Sequence, residues 1–212
     1  MPSCFSTVQT SEGNIYMVGG LVKDMVLKNT FVLNENLVYD ELAMMKNARY
    51  SAPIALLNDK FIVVAGGSNS NVKGKFTNSA EIFDIVQNKW TPMENLQKAR
   101  SNTSMCAVAN RLVFIFNGLP STLQPNYNNA IEYIDLGNFD IPSVRNAKWE
   151  SIVVQNNEFI LSEPRGSSQV SLNELIVFGG HGNHTFNFDI TNILVTLRNS
   201  QKPGQFNARI TK

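Results

Sequence analysis

Four short apolar runs in this chain end the same way. Ile15-Tyr16-Met17-Val18 leads into Gly19-Gly20, and Phe61-Ile62-Val63-Val64-Ala65 into Gly66-Gly67. Leu112-Val113-Phe114-Ile115-Phe116 leads into Asn117-Gly118, and Leu175-Ile176-Val177-Phe178 into Gly179-Gly180. The last glycines are 47, 51 and 62 residues apart. Self-similarity at such a period means one supersecondary unit that cannot bury its apolar surface alone and must stack on its neighbours.

Further landmarks recur in phase. Phe83 is followed, six residues intervening, by Trp90, and Val32 by Tyr39 at the same spacing. Tyr133 is followed by Trp149 with an insertion inside residues 136–147, and Phe188-Asp189 by Ile193-Leu194-Val195 without an aromatic. An arginine opens each later unit: Arg49, Arg100 and Arg165.

Each unit reads as four short strands. In the second they are predicted at 51–56, Phe61–Ala65, Ala80–Asp84 and 89–92. Asn58-Asp59 and Gln87-Asn88 supply hairpin turns. Runs of four to six β-branched and aromatic residues between turn residues are an all-β signature. No segment shows convincing helical periodicity. A twisted four-stranded sheet has two faces to cover, and stacking such sheets around an axis covers both. The expected fold is therefore all-β, a propeller of antiparallel blades. Its glycines end strands where a Cβ would collide, and its aromatics fill the wedge between blades.

This combination of paired glycines, a spaced aromatic pair and an opening arginine resembles the kelch repeat, over nearly the whole chain. The motif residues are Gly19, Gly20, Gly66, Gly67, Phe83, Trp90, Gly118, Tyr133, Trp149, Gly179 and Gly180. The resemblance implies a kelch-type β-propeller. The sequence divides into an arc at 3–198, with blades near 3–42, 49–93, 100–153 and 165–197. The tail, 199–212, is expected to supply the first strand of a further blade. Kelch propellers have five to seven blades and four are found, so a partial or open propeller is expected, completed by further blades or by a homo-oligomer.

Composition narrows the partners. The chain has 212 residues, 43% hydrophobic and 17% charged, with a net charge of +1. That excludes intrinsic disorder and removes any global electrostatic case for nucleic acid or anionic membrane. No apolar run approaches the ~18 residues of a spanning helix, and no secretory signal is recognised. Cys4 and Cys106 read as free thiols in a reducing compartment. The expected location is the cytoplasm, with a cytoskeletal association left open.

Catalytic signatures are missing. There is no nucleophile elbow, phosphate loop, zinc spacing or dinucleotide fingerprint. His181 and His184 are three apart but lack further ligands, so neither a metal nor a cofactor is expected. The longer, more variable loops, at 21–28, 68–78, 119–128 and 181–184, should share one face. Candidate partner-contacting residues there are Arg49, Ser51, Asn71, Lys73, Lys75, Arg100, Asn102, Asn126, Tyr127, Arg165, His181 and His184. Arg49, Arg100 and Arg165 read first as structural donors to carbonyls between blades, and contact with an acidic peptide is their second reading. The expected function is a non-catalytic scaffold or adaptor that binds a partner protein through this loop face. The alternative is a fragment of a propeller enzyme, or a small-ligand binder using the central channel.

Overall fold

The computed structural model describes residues 2–70, 72, 74–120, 131–137, 141–152, 166–171, 174–179, 184–189 and 210–211. The first unit runs β1 (Ser6–Gln9), β2 (Ile15–Val18), a small hairpin β3 (Leu21–Val22) and β4 (Met25–Val26), then β5 (Thr30–Leu33) and β6 (Tyr39–Leu42). The second contains β7 (Ile54–Leu57), β8 (Phe61–Ala65), β9 (Ala80–Asp84) and β10 (Lys89–Met93). The third adds β11 (Arg100–Ser101), β12 (Ser104–Val108), β13 (Leu112–Phe116), β14 (Leu119–Pro120), β15 (Ile131–Asp135), a helix α1 (Ile141–Asn146) and β16 (Glu150–Ile152). The fourth contains β17 (Gly166–Ser171), β18 (Glu174–Gly179), β19 (His184–Asp189) and β20 (Ile210–Thr211).

The fold is all-β, and among the described residues there are four four-stranded antiparallel sheets: β1-β2-β5-β6, β7-β8-β9-β10, β12-β13-β15-β16 and β17-β18-β19-β20. Their first strands are neighbours in sequence order: β1 lies beside β7, β7 beside β12, and β12 beside β17. These strands form the inner edge of an arc, as in a propeller. Hairpin chemistry explains the tight turns. Asn58 and Asp59 both have positive φ, as do Ala109 and Asn110, which a type I′ turn requires.

The apolar layers lie between sheets. Tyr16, Ile62 and Phe83 pack between the first two sheets, with Val32 and Trp90 against them. Between the second and third, Leu57, Val63 and Ile82 meet Val113, Ile115 and Trp149. Trp90 Nε1 donates to Thr30 Oγ1 at 3.0 Å and to the Ala43 carbonyl at 2.9 Å. Trp149 Nε1 donates to the Glu94 carbonyl at 3.1 Å. Each tryptophan thus ties the last strand of its own unit to the preceding unit.

Several expectations are corrected. Phe83 pairs with Ile62, and the equivalent of Ile62 in the first unit, Ile15, pairs with Leu33. Leu33, not Val32, therefore holds the aromatic position, and Val32 points to the second sheet. In the third unit Val113 pairs with Ile134. Ile134 takes the Phe83 place beside Trp149, while Tyr133 sits on the opposite face, its ring stacked 5.7 Å from Phe114. In both cases a one-residue slip moves the side chain to the other face. The insertion contains the short helix α1, whose Val144 is buried beside Leu136 and Trp149. The tail strand β20 does not open a further blade. It pairs with β19 as the edge strand of the fourth sheet. The expected strand at 193–195 lies outside the described residues.

Candidate functional site

The loops that leave β2, β8 and β13 share one end of the sheets with the links into the next unit. Their backbone is held by an arginine at each of two junctions. Arg49 Nη1 donates to the Gly66 carbonyl at 2.8 Å and the Ser79 carbonyl at 2.9 Å. Its Nη2 meets Glu81 Oε1 at 2.8 Å. Its own carbonyl accepts from the Gly20 N–H at 2.9 Å, in the preceding unit. One residue thus grips both sides of a junction. Arg100 repeats the pattern: its side chain pairs with Glu132 and reaches the Asn117 carbonyl at 3.3 Å. Its carbonyl accepts from Gly67 N–H at 2.7 Å.

This explains the glycine pairs. A Cβ on Gly66, at φ +70°, would meet the Arg100 carbonyl oxygen at 2.6 Å. The backbone of the next unit passes where a side chain would stand. The carboxylates complete the junction. Glu81 Oε2 accepts from Lys46 N–H at 2.7 Å and Oε1 from Asn47 N–H at 3.1 Å. Glu132 Oε2 accepts from Gln97 N–H at 2.7 Å. Both glutamates were missed in the sequence reading. The signal was present, because each lies 32 residues after its arginine.

Arg49 and Arg100 are 1% and 0% exposed. Neither guanidinium is available to a partner at the loop face, so the binding reading of these two is corrected, while their reading as donors to carbonyls agrees with the hydrogen bonds. Their donors serve carbonyls and a carboxylate inside the junction. Burial lowers the Arg49 pKa from its ordinary value, and the neighbouring Glu81 opposes the shift.

A second lattice follows the inner edge. Cys4, Ser51 and Asn102 are equivalent positions, with φ of 53°, 49° and 51°. Ser51 N–H donates to the Cys4 carbonyl at 2.9 Å, and Asn102 N–H to the Ser51 carbonyl at 3.2 Å. Non-glycine residues in the left-handed region persist where their surroundings over-determine them. Here each is held by the step to its neighbour. Asn102 is exposed and Ser51 half-buried, so two expected contact residues stand together at the mouth of the inner edge. Lys75 is also exposed on the loop side, next to the bridge that pairs Ser68 with Phe76. Lys23, Lys28 and Lys46 add exposed positive charge there, beside exposed Asp24 and Glu94. The turns at the other end carry exposed Glu12, Glu35 and Asp59, with Lys60 and Lys89.

Other expected contact residues lie beyond this description. Asn71, Lys73, Asn126, Tyr127, Arg165 and His181 fall outside the described residues, as does Gly180 of the motif. His184 begins β19, paired with Gly179. Among the described residues no group of three or more metal-ligating side chains converges. A cavity of 570 Å³ lies at the rim, lined by Pro92, Met93, Glu94, Asn95 and Arg145, away from the inner edge. Cys4 is exposed and Cys106 buried, and both thiols are free.

Residues 48–97 match the kelch motif. Kelch-like protein 40 of Mus musculus is 31% identical over 113 residues, covering 50% of this chain and 17% of that protein. Kelch repeat and BTB domain-containing protein 1 of Camelpox virus is 28% identical over 138 residues, covering 62% and 23%. Kelch-like protein 40 of Xenopus tropicalis is 26% identical over 151 residues, covering 69% and 23%. The chain spans 17% to 23% of the length of these relatives.

Proposed function

We propose, from the premise that this is a kelch-motif chain, that it is a non-catalytic interaction module binding a partner protein through its loop face. The observation that carries the reading is a division of labour. The buried arginines and glutamates fix the loop bases, while Ser51, Lys75 and Asn102 remain accessible on that rigid frame. Loops on a rigid scaffold are where recognition concentrates. The mechanism is shape and hydrogen-bond complementarity, supported by the exposed lysines, which favour an acidic surface on the partner. Distant similarity to Kelch-like and Kelch/BTB proteins supports protein partners in general. The adaptor role and an intracellular location belong to this proposal.

The test is affinity capture from native extract with three baits: the wild-type chain, Lys46→Glu with Lys75→Glu, and Lys60→Glu as a control at the opposite end. The expected result is one or more proteins retained by the wild type and the control and lost from the loop-face variant. Identical captures by all three baits, together with turnover of a small molecule by the purified chain, would overturn the reading.

A further inference from the structure

Two junctions carry the same fastenings. Between the first and second sheets Arg49 pairs with Glu81, and the Ser51 amide donates to the Cys4 carbonyl. Between the second and third Arg100 pairs with Glu132, and the Asn102 amide donates to the Ser51 carbonyl. Cross-strand register locates the same places in the fourth unit. Glu81 pairs with Val64 and Glu132 with Ile115, and their counterpart is Phe186, paired with Val177. Arg100 stands four residues before Ser104, the partner of Phe116, and Asn102 stands two before it. Gly166 is the matching partner of Phe178, so the same counts along the sequence fall on Ser162 and Pro164. Phenylalanine supplies no carboxylate, serine no guanidinium and proline no amide hydrogen. Arg165, one residue before Gly166, is out of phase with Arg100. The places of all three fastenings are therefore filled by residues that cannot make them.

The surface between the third and fourth sheets differs as well. β12 runs beside β17. Met105 faces the second sheet, so alternation turns Ser104 and Cys106 toward the fourth, where Cys106 lies beside Ser167. The hydroxyl oxygens of Ser104 and Ser167 are buried without a hydrogen-bond partner among the described residues. Ser6, the equivalent of Ser104 in the first unit, does have one, donating to the Ala52 carbonyl across its junction. A buried hydroxyl without a partner gives up its hydration for nothing. What holds this seam is its apolar layer. Leu175 and Val177, 1% and 0% exposed, take the places that Val113 and Ile115 hold in the third sheet.

We propose that this seam is a built-in opening: the fourth sheet parts from the third while the first three stay joined. The opening wets one apolar layer and frees two unpaired hydroxyls. Opening either earlier junction would also break a buried ion pair and a step of the backbone lattice. The parted seam uncovers Cys106, which is 7% exposed when closed. The surface beside it is aromatic, with Phe114 stacked on Phe116 and on Tyr133.

Thiol labelling reads the opening. In a Cys4→Ser background, Ala55→Cys or Ala65→Cys places a second thiol in the layer between the second and third sheets. Circular dichroism checks that each variant is folded. Initial rates of alkylation by N-ethylmaleimide at both sites of one chain are read by peptide mass spectrometry, in urea up to about 2 M. Each rate is normalised to that of the same thiol in the unfolded chain. Cys106 is expected to react roughly tenfold or more faster than position 55 or 65, with a shallower urea dependence, because a partial opening exposes less surface than global unfolding. Hydrogen exchange on the unaltered chain gives a second readout. Amides of β18 should exchange through the shallow opening, and those of β8 and β13 through the steep one. Labelling of Cys106 no faster than at positions 55 and 65, labelling without urea dependence, or exchange of β18 with the slope of β8 would each overturn the proposal.

Discussion

At the scale of single residues, Glu81 has three duties and no exposure. It faces Arg49 at 2.8 Å and accepts the amides of Lys46 and Asn47. Removing one partner of a buried pair leaves the other charge uncompensated, at about 3–5 kcal/mol. Glu81→Ala is therefore expected to lower Tm by roughly 10 °C, and Glu81→Gln by less because it keeps an acceptor. Thermal denaturation followed by calorimetry reads both. An equal effect of the two would mean that the amide bonds are unimportant. Gly66→Ala forces a Cβ to 2.6 Å from a carbonyl oxygen at a positive φ, and is expected to destabilise by about 1–3 kcal/mol in urea unfolding. Cys106 is a different kind of probe. Burial pushes its thiol up to about 12. The folded state then holds a proton that the unfolded state releases near pH 9. Stability from this group is complete below that pH and falls above it, by about 1.4 kcal/mol per pH unit. Tyr133, raised first by burial and then by the hydrogen bond to Glu150, works in the same direction. Urea unfolding between pH 8 and 11 should show the decline, and Cys106→Ala should reduce its slope.

At the scale of elements, the helix α1 inserted before β16 is part of the core and not an ornament. Val144 is 1% exposed and packs beside Trp149. Val144→Ala is expected to cost about 2 kcal/mol, from lost transfer energy plus a cavity. An exposed-like change below about 0.5 kcal/mol would place the helix outside the core. The strands themselves were legible because apolar runs and turn residues alternate so regularly. Phe61–Ala65 and Ala80–Asp84 are strands with the expected bounds. What sequence reading lost was register. Aligning units on Val32 and Tyr133 put each side chain on the wrong face, because spacing along the chain does not show which residues pair across strands. The short helix was missed because six residues cannot display a helical period. The glutamates were missed because a charged residue inside a strand pattern reads as solvent-facing until its arginine is placed beside it.

At the scale of the whole molecule, the first three sheets are joined by apolar layers and by a backbone lattice that repeats at the two junctions between them. Gly20 and Gly67 donate to the carbonyls of Arg49 and Arg100, and Ser51 and Asn102 continue the steps along the inner edge. Arrays of this kind derive their stability from neighbour interfaces as well as from each unit. Under the proposed function the loop face depends on the same lattice, since its rigidity would make Ser51, Lys75 and Asn102 a fixed pattern for a partner. The burial of Arg49 and Arg100 could not be read from their spacing alone. Repeating arginines at loop bases suit either a partner's acidic groups or the protein's own carbonyls, and only the fold decides. Native-state hydrogen exchange at the amides of Gly20, Ser51, Gly67 and Asn102 tests the lattice most directly. All four should be protected to a degree comparable with the central strands and should lose protection together in Glu81→Ala. Free exchange at these four amides, while strands within each sheet stay protected, would mean that the sheets are independent and would contradict the account.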